Sequence, residues 1–182
     1  MNVFSSLTSK MPLVLGLVKA TVLLSSTVWL TSAFPAAMAT IEPILCVGNP
    51  ATIVGTPGND NIAGTPGNDV IQAFGGDDTI AGLGGNDIIC GDEGKDTLSG
   101  GTGSDQVDGG LGNDLGDGGS GTDIVNGREG NDQMNGGSGN NDAVIGEGGN
   151  DILTGGPGTG DLALGGIGTD TCDAETEVEC EA

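Results

Sequence analysis

A nine-residue repeat is the feature that most constrains this chain. From Gly55 to Asp173 the sequence can be written as thirteen successive units, two of which carry one extra residue, Asn141 and Gly160. With the two extra residues set aside, the fourth position is Gly and the sixth is Asp in all thirteen units, and the eighth is usually aliphatic. Low hydrophobicity and high net charge would otherwise predict a disordered acidic polymer. Such a polymer has no reason to keep phase over 119 residues, so we expect a repeating three-dimensional unit.

Each unit divides into a turn and a short strand. The first six residues are mostly Gly, Asn, Asp, Thr and Pro, which favour turns, and Gly permits the positive φ that tight turns need. The last three residues run polar, apolar, polar, the pattern of a minimal strand with one side chain turned inward. Two nine-residue units therefore predict one coil of about 18 residues. Successive coils would pair as parallel strands about 4.8 Å apart, which gives an all-β solenoid.

Composition and charge restrict the partners. Of the 182 residues, 38 are Gly, three are Phe, one is Trp and none is Tyr, so the large side chains that fill an ordinary core are scarce. The formal net charge is −22. Without the N-terminal leader, only Lys95 and Arg128 oppose 26 acids, which gives 2 − 26 = −24. Nucleic acid is excluded as a partner because phosphate binding needs clustered Lys and Arg. Cations are the expected counterions.

The repeated Asp residues predict a calcium-binding protein. Alternate units share an edge of the solenoid, so the sixth-position Asp residues would form two columns of seven and six. Stacked like charges oppose folding unless cations lie between them. Carboxylates and turn carbonyls are the all-oxygen ligands that suit Ca²⁺, whereas Mg²⁺ demands tighter octahedral geometry. Transition metals are disfavoured without His or free thiolates. Ions between column neighbours give at most 6 + 5 = 11 sites.

The same argument predicts that metal and folding are linked. One small aliphatic side chain per unit buries little area, while the Gly-rich turns lose much conformational entropy on ordering. We therefore expect a largely unfolded chain without calcium, for which the free energy of metal binding is folding free energy.

The units resemble the RTX nonapeptide G-G-x-G-x-D-x-U-x over residues 55–173. The resemblance implies a right-handed parallel β-roll with Ca²⁺ between the turns of consecutive coils. It implies carboxylate ligands at Asp60, Asp69, Asp78, Asp87, Asp96, Asp105, Asp114, Asp123, Asp132, Asp142, Asp151, Asp161 and Asp170. It also implies carbonyl ligands from turns such as those holding Gly82, Gly84, Gly85, Gly100, Gly101, Gly103, Gly118, Gly119 and Gly121.

Several units depart from this pattern. The second position is Gly in only six of them. Gly116 replaces the inward apolar residue, so we expect a bulge in 109–117. Lys95, next to a column Asp, is interpreted as a solvated side chain. The sites are expected to be firmest from 55 to 108.

Two of the implied carboxylate ligands follow an insertion. Asn141 and Gly160 lengthen their turns, so the Asp that follows each is a less secure ligand. In the second of these units the inward residue is either Ala163, or Leu162 and Leu164 if the insertion shifts the strand.

The N-terminus predicts export. Residues 1–39 contain two Lys and no acids, then an apolar stretch, and end in Ala37-Met38-Ala39, as in a secretory signal peptide. A retained membrane anchor is the alternative, but the uncharged stretch is shorter than the roughly 20 residues that span a bilayer. We expect cleavage after Ala39, no membrane insertion afterwards, and a secreted or cell-surface protein. The expected organisation is signal peptide 1–39, N-terminal cap 40–54, β-roll 55–173 and C-terminal cap 174–182.

The cysteines are consistent with export. An even number, four, favours two disulfides in an exported chain, and a zinc site is disfavoured by the absence of His. Cys90 and Cys172 would lie about 22 Å apart along the solenoid axis, too far for a disulfide. The favoured pairs are Cys46–Cys90 and Cys172–Cys180, as staples at the two ends.

No catalytic motif stands out. The chain has no His base and no nucleophile elbow, and its Gly-x-Gly-x-x-Gly strings open no predicted helix. We therefore expect a secreted calcium-binding protein that folds on Ca²⁺ outside the cytoplasm, and not an enzyme. The alternative is a cell-surface structural or adhesive spacer that calcium makes rigid. The absence of a second predicted domain, with Phe74 the only aromatic residue after the leader, favours the first function.

Overall fold

A computed structural model describes residues 45–180. The predicted signal peptide 1–39, residues 40–44 of the predicted N-terminal cap and residues 181–182 lie outside the described residues. No helix among those described is long and apolar enough to cross a membrane.

The described chain begins with a short antiparallel ribbon and then winds as a parallel β-solenoid. The ribbon pairs β1 with β2, and β3 starts the first coil: β1 is Leu45–Cys46, β2 is Asn49–Pro50 and β3 is Ile53–Val54. From there the strands alternate between two parallel sheets, which we term sheet I and sheet II. This is the fold class predicted from the repeat.

Sheet I takes the strands that begin in the odd-numbered units, counted from Gly55, and one short strand at 138–139 in the tenth unit. Its members are β4 (Asn61–Ala63), β6 (Thr79–Gly84), β8 (Thr97–Thr102), β10 (Leu115–Gly121), β12 (Gln133–Asn135), β13 (Ser138–Gly139), β15 (Ile152–Thr154) and β17 (Thr171–Asp173). Sheet II takes β3, the strands that begin in the even-numbered units and a last strand at 176–178, after the repeat. Its other members are β5 (Val70–Gln72), β7 (Ile88–Glu93), β9 (Gln106–Leu111), β11 (Ile124–Glu129), β14 (Ala143–Gly148), β16 (Leu162–Ile167) and β18 (Thr176–Val178).

The register confirms a coil of two units. Ile80 pairs with Leu98, and Leu98 pairs with Gly116, with a sequence separation of 18 at each step. Past Asn141 the separation becomes 19, as in the pairing of Val125 with Val144. Each insertion is therefore absorbed in a turn, and the strands on either side keep their alternation.

The core is a narrow stack of inward side chains, one from each unit except 109–117, where the inward residue is Gly116. Those that are at most 2% exposed are Ile71, Ile80, Ile89, Leu98, Val107, Val125, Met134, Val144, Leu153 and Ala163. In the unit 155–164 the inward residue is Ala163, whereas Leu162 and Leu164 are half-buried on the outer face.

The bulge expected in 109–117 is wrong. Gly116 stays in register with both neighbouring coils. A Cβ added at Gly116 would lie 2.5 Å from Met134 Sδ and 3.0 Å from Val125 Cγ1. The long, flexible Met134 side chain therefore occupies the space that Gly116 leaves, and the strand stays in place.

The two ends are held by disulfides at the pairs that the sequence favoured. Cys46 bonds to Cys90 with Cα atoms 5.8 Å apart, and this ties the N-terminal ribbon to β7. Cys172 bonds to Cys180 with Cα atoms 6.0 Å apart, which closes the C-terminal end over β17.

Candidate metal centre

The sixth-position Asp residues line up in two ladders along the solenoid. Column I follows sheet I and contains Asp60, Asp78, Asp96, Asp114, Asp132, Asp151 and Asp170. Column II follows sheet II and contains Asp69, Asp87, Asp105, Asp123, Asp142 and Asp161. In every neighbouring pair the main-chain N–H of the earlier Asp donates to Oδ1 of the later Asp, at N···O distances of 2.7–3.0 Å. Oδ1 of every column Asp except the first in each column is thus used in a hydrogen bond to the preceding coil, and these bonds form the ladder.

The insertions do not remove their Asp from the ladder. Asp123 N–H donates to Asp142 Oδ1 at 2.8 Å, and Asp142 N–H donates to Asp161 Oδ1 at 3.0 Å. Asn141 takes the extra residue's place with a φ of 62°. Both Asp142 and Asp161 are at most 2% exposed, like the other column members from Asp78 onward.

The other carboxylate oxygen of most column members is buried without a partner. Oδ2 accepts no hydrogen bond from the described residues in Asp78, Asp87, Asp96, Asp105, Asp114, Asp123, Asp132, Asp142, Asp151 and Asp170. A buried polar atom without a partner is costly, and a buried charge is more so. A cation next to these ten oxygens would offset the cost of burying them.

Burial also changes the acidity of the columns. Removal from water raises the pKa of Asp114 to about 7 and the pKa values of Asp96, Asp123 and Asp132 to about 6, because it disfavours the ionised form. The main-chain N–H that each carboxylate accepts lowers its pKa, but less than burial raises it. A nearby cation would favour the ionised form instead.

Except in Asp78, whose unit begins with Ala73, each unpaired oxygen lies next to the first-position glycine of its own turn. A Cβ added at Gly82 would lie 2.3 Å from Asp87 Oδ2 and 2.5 Å from the carbonyl oxygen of Gly100. The same arrangement recurs at Gly146, with 2.3 Å to Asp151 Oδ2 and 2.5 Å to a carbonyl oxygen of the next coil. A carboxylate oxygen and a main-chain oxygen from consecutive coils therefore converge on one space.

The glycine carbonyls predicted as ligands face the gaps between coils from both sides. First-position carbonyls, those of Gly82, Gly100 and Gly118, lie against the preceding coil. Second- and fourth-position carbonyls, those of Gly85, Gly101, Gly103, Gly119 and Gly121, lie against the following coil. Gly84 lies against the Thr102 side chain of the next coil.

The side chains alone do not complete a metal site. Within residues 45–180, no three His, Cys, Asp or Glu side chains group closely enough to hold a metal ion. An ion with six to eight oxygen ligands would therefore need main-chain carbonyls besides the column carboxylates. Carbonyls facing each gap from two coils supply that kind of donor, so the residues present fit a hard, oxygen-loving dication.

The model of one protein family, the RTX calcium-binding nonapeptide repeat, matches the chain in four stretches. They are residues 54–89, 91–125, 116–143 and 141–162, which together cover more than half of the chain. The chain belongs to this RTX repeat family. No curated protein matches it in sequence. The RTX repeats imply that the protein binds Ca²⁺, and the geometry above gives that binding a physical basis.

A second ladder beside the RTX carboxylates was not foreseen from the sequence. Fifth-position Asn side chains accept main-chain N–H groups from the next coil, as Asn131 does from Asn150 at 2.8 Å and Asn150 does from Thr169 at 2.8 Å. On the other edge, Asn68 accepts from Asn86 at 2.9 Å. The signal in the sequence was the frequent Asn directly before the sixth-position Asp.

The RTX columns end differently at their two extremities. At the C-terminal end the Glu175 carboxylate accepts the main-chain N–H of Asp161 at 2.9 Å, which takes the place of a further column Asp. At the N-terminal end Oδ2 of Asp60 and of Asp69 accepts hydrogen bonds from Thr56 and Thr65. These first two column members therefore differ from the ten with an unpaired Oδ2.

Proposed function

We propose that this protein is an exported calcium-binding protein that folds on binding Ca²⁺ outside the cytoplasm. The observation that carries the proposal is the set of ten buried Oδ2 atoms without a hydrogen-bond partner. In this proposal the column carboxylates with an unpaired Oδ2 serve as metal ligands and not as catalytic acids or bases, so no enzymatic activity is assigned.

The coupling of binding to folding follows from how the carboxylates are buried. Both columns run through the interior of the turns, with members such as Asp96 and Asp123 fully buried. Near neutral pH the unfolded chain holds these groups ionised in water, so folding without a cation must either bury the charges or take up protons. Calcium would remove that cost in the folded state alone, which makes its binding free energy available for folding.

Location is the second part of the proposal. RTX repeats together with the disulfides Cys46–Cys90 and Cys172–Cys180 indicate an extracytoplasmic protein, because disulfides persist in oxidising compartments. We infer that the leader 1–39 directs export and is removed after Ala39. Low free calcium during synthesis and high free calcium outside would then delay folding until export.

A calcium titration of the exported protein tests the proposal. We expect circular dichroism to show a largely unfolded chain in EDTA and β-structure in Ca²⁺, with calorimetry giving several ions per chain. Mg²⁺ at the same concentration is the control and should not replace Ca²⁺. The same β signal in EDTA as in Ca²⁺ would refute the coupling. A mass that includes residues 1–39 would refute the cleavage.

A further inference from the structure

In the first two turns of the solenoid, a threonine donates hydrogen bonds to the column Asp of the same turn. Thr56 donates to Asp60 Oδ2 from its main-chain N–H at 2.6 Å and from its hydroxyl at 3.0 Å. Thr65 donates to Asp69 Oδ2 in the same way, at 2.6 and 2.9 Å. Oδ2, which has no hydrogen-bond partner in most later turns, therefore accepts two hydrogen bonds in each of these two turns.

The threonine hydroxyl also reaches the turn carbonyl. Thr56 Oγ1 lies 3.3 Å from the carbonyl oxygen of Gly58, and Thr65 Oγ1 lies 3.3 Å from that of Gly67. These are fourth-position carbonyls, the class that in later turns faces the gap between coils. The hydroxyl therefore lies between a carboxylate oxygen and a carbonyl oxygen.

The cause is the residue type at the second position. In later turns this position has a positive φ, for example 80° at Leu83 and 110° at Gly101. A β-branched residue strongly disfavours that conformation, and neither Thr56 nor Thr65 has a positive φ. A following proline is compatible with a positive φ when the second position is Gly, because Gly156 has a φ of 93° before Pro157.

The N-terminal coil is also held by bonds that need no metal. Thr52 exchanges hydrogen bonds with Val70, from its N–H at 2.7 Å and to its hydroxyl at 2.9 Å. Cys46, fully buried, is joined to Cys90. These contacts close the end of the solenoid from which both columns start.

We propose that units 55–63 and 64–72 form a calcium-independent cap, in which Thr56 and Thr65 take the place of an ion. Asp60 and Asp69 are then acceptors within their own turns and not calcium ligands. The ion-binding columns begin at Asp78 and Asp87, so the upper limit falls from eleven neighbouring pairs to 11 − 2 = 9. This inference rests on the proposed calcium binding of the later turns.

Matched pairs of substitutions test the cap. Calcium bound per chain is measured by equilibrium dialysis with elemental analysis of the exported protein. We expect Asp60→Asn with Asp69→Asn to leave the wild-type number of ions unchanged. The same change in the middle of the columns, Asp96→Asn with Asp105→Asn, should lower the number by at least two.

A second pair of substitutions, at the two Thr residues, keeps the test valid if the Asn variants do not fold. Thr56→Gly with Thr65→Gly restores Gly at the second position and releases Oδ2 of both Asp residues, so the number of bound ions should rise by one or two. Equal losses in the two Asn pairs, or no rise on the Thr to Gly change, would overturn the cap. A wild-type protein that binds no calcium would instead overturn the proposed function.

Discussion

Asp105→Asn separates the two roles of a column carboxylate. Asp105 is 1% exposed, its Oδ1 accepts the Asp87 N–H at 2.8 Å, and its Oδ2 has no hydrogen-bond partner among the described residues. Asparagine keeps a carbonyl oxygen for the Asp87 N–H and replaces the charged Oδ2 by a neutral amide. The ladder can survive the change, whereas a calcium ligand is lost.

The magnitude follows from the position of Asp105 in its column. A site that binds only the folded state stabilises it by about 2.7 kcal/mol when free ligand is one hundred times Kd. Asp105 belongs to two neighbouring pairs, with Asp87 and with Asp123. We therefore expect a loss of about 2.7 kcal/mol if one ion is lost and about 5.4 kcal/mol if both are lost. Without calcium, removal of an unpaired buried carboxylate should cause no loss.

The assay compares the free energy of unfolding in calcium and without it. Urea denaturation is followed by circular dichroism in saturating Ca²⁺, and again in EDTA with trimethylamine N-oxide, which favours the compact state. A large loss in Ca²⁺ and none in EDTA supports the reasoning. Equal losses under both conditions would show that Asp105 is only a structural hydrogen-bond acceptor, and the assignment of Oδ2 to an ion would be refuted.

Four further outcomes are expected. Gly82→Ala should cost about 1–3 kcal/mol in thermal denaturation with calcium, since its Cβ would lie 2.3 Å from a column carboxylate oxygen, whereas Gly58→Ala, with nothing within 4 Å, should be neutral or slightly stabilising. Met134→Ala should cost toward the upper end of about 2–5 kcal/mol in the same assay, because Gly116 next to it leaves the cavity unfilled. In EDTA, β-structure measured by circular dichroism should be lost as pH rises through the raised pKa of Asp114, about 7, and be fully present only below its ordinary value of 3.8, because folding without metal favours the protonated acid. As pH falls through the same range, calcium should bind more weakly. A β signal in EDTA that does not change with pH would contradict the expectation for the metal-free protein.

The fold could be predicted because every copy of the repeat carries the same turn and strand pattern. A period of nine with one inward position fixes both the coil length and the strand register, and the pairing of Ile80 with Leu98 follows directly from it. Packing within the stack was harder to predict. Gly116 lacks a side chain, and whether its strand bulges depends on its neighbours one coil away, at Leu98 and Met134. Met is flexible enough to fill an irregular gap, so a Gly and a Met one coil apart are the signal that the sequence carried.

The position of the insertions within their units was hard to predict for a related reason. An extra residue in a strand would turn every following side chain to the opposite face. Asn141 lies instead in a turn, where Asn tolerates a positive φ, here 62°. The register step grows from 18 to 19, and Ala163 remains inward. Asp142 consequently keeps its place in the ladder, although the longer turn had made it a less secure ligand.

The candidate site shows what a residue pattern leaves open. The sequence pattern predicted that thirteen Asp residues form two columns. It did not distinguish the two oxygens of each carboxylate, which have different partners. Oδ1 of Asp87 holds the coil before it through the Asp69 N–H, and Oδ2 is unpaired. What distinguishes one turn from another is therefore the donors available to Oδ2. A second-position Thr supplies two, as Thr65 does for Asp69, whereas turns with a positive φ at that position leave Oδ2 of their Asp for an ion. The second position, and not the invariant Asp, then decides where along the solenoid calcium is needed.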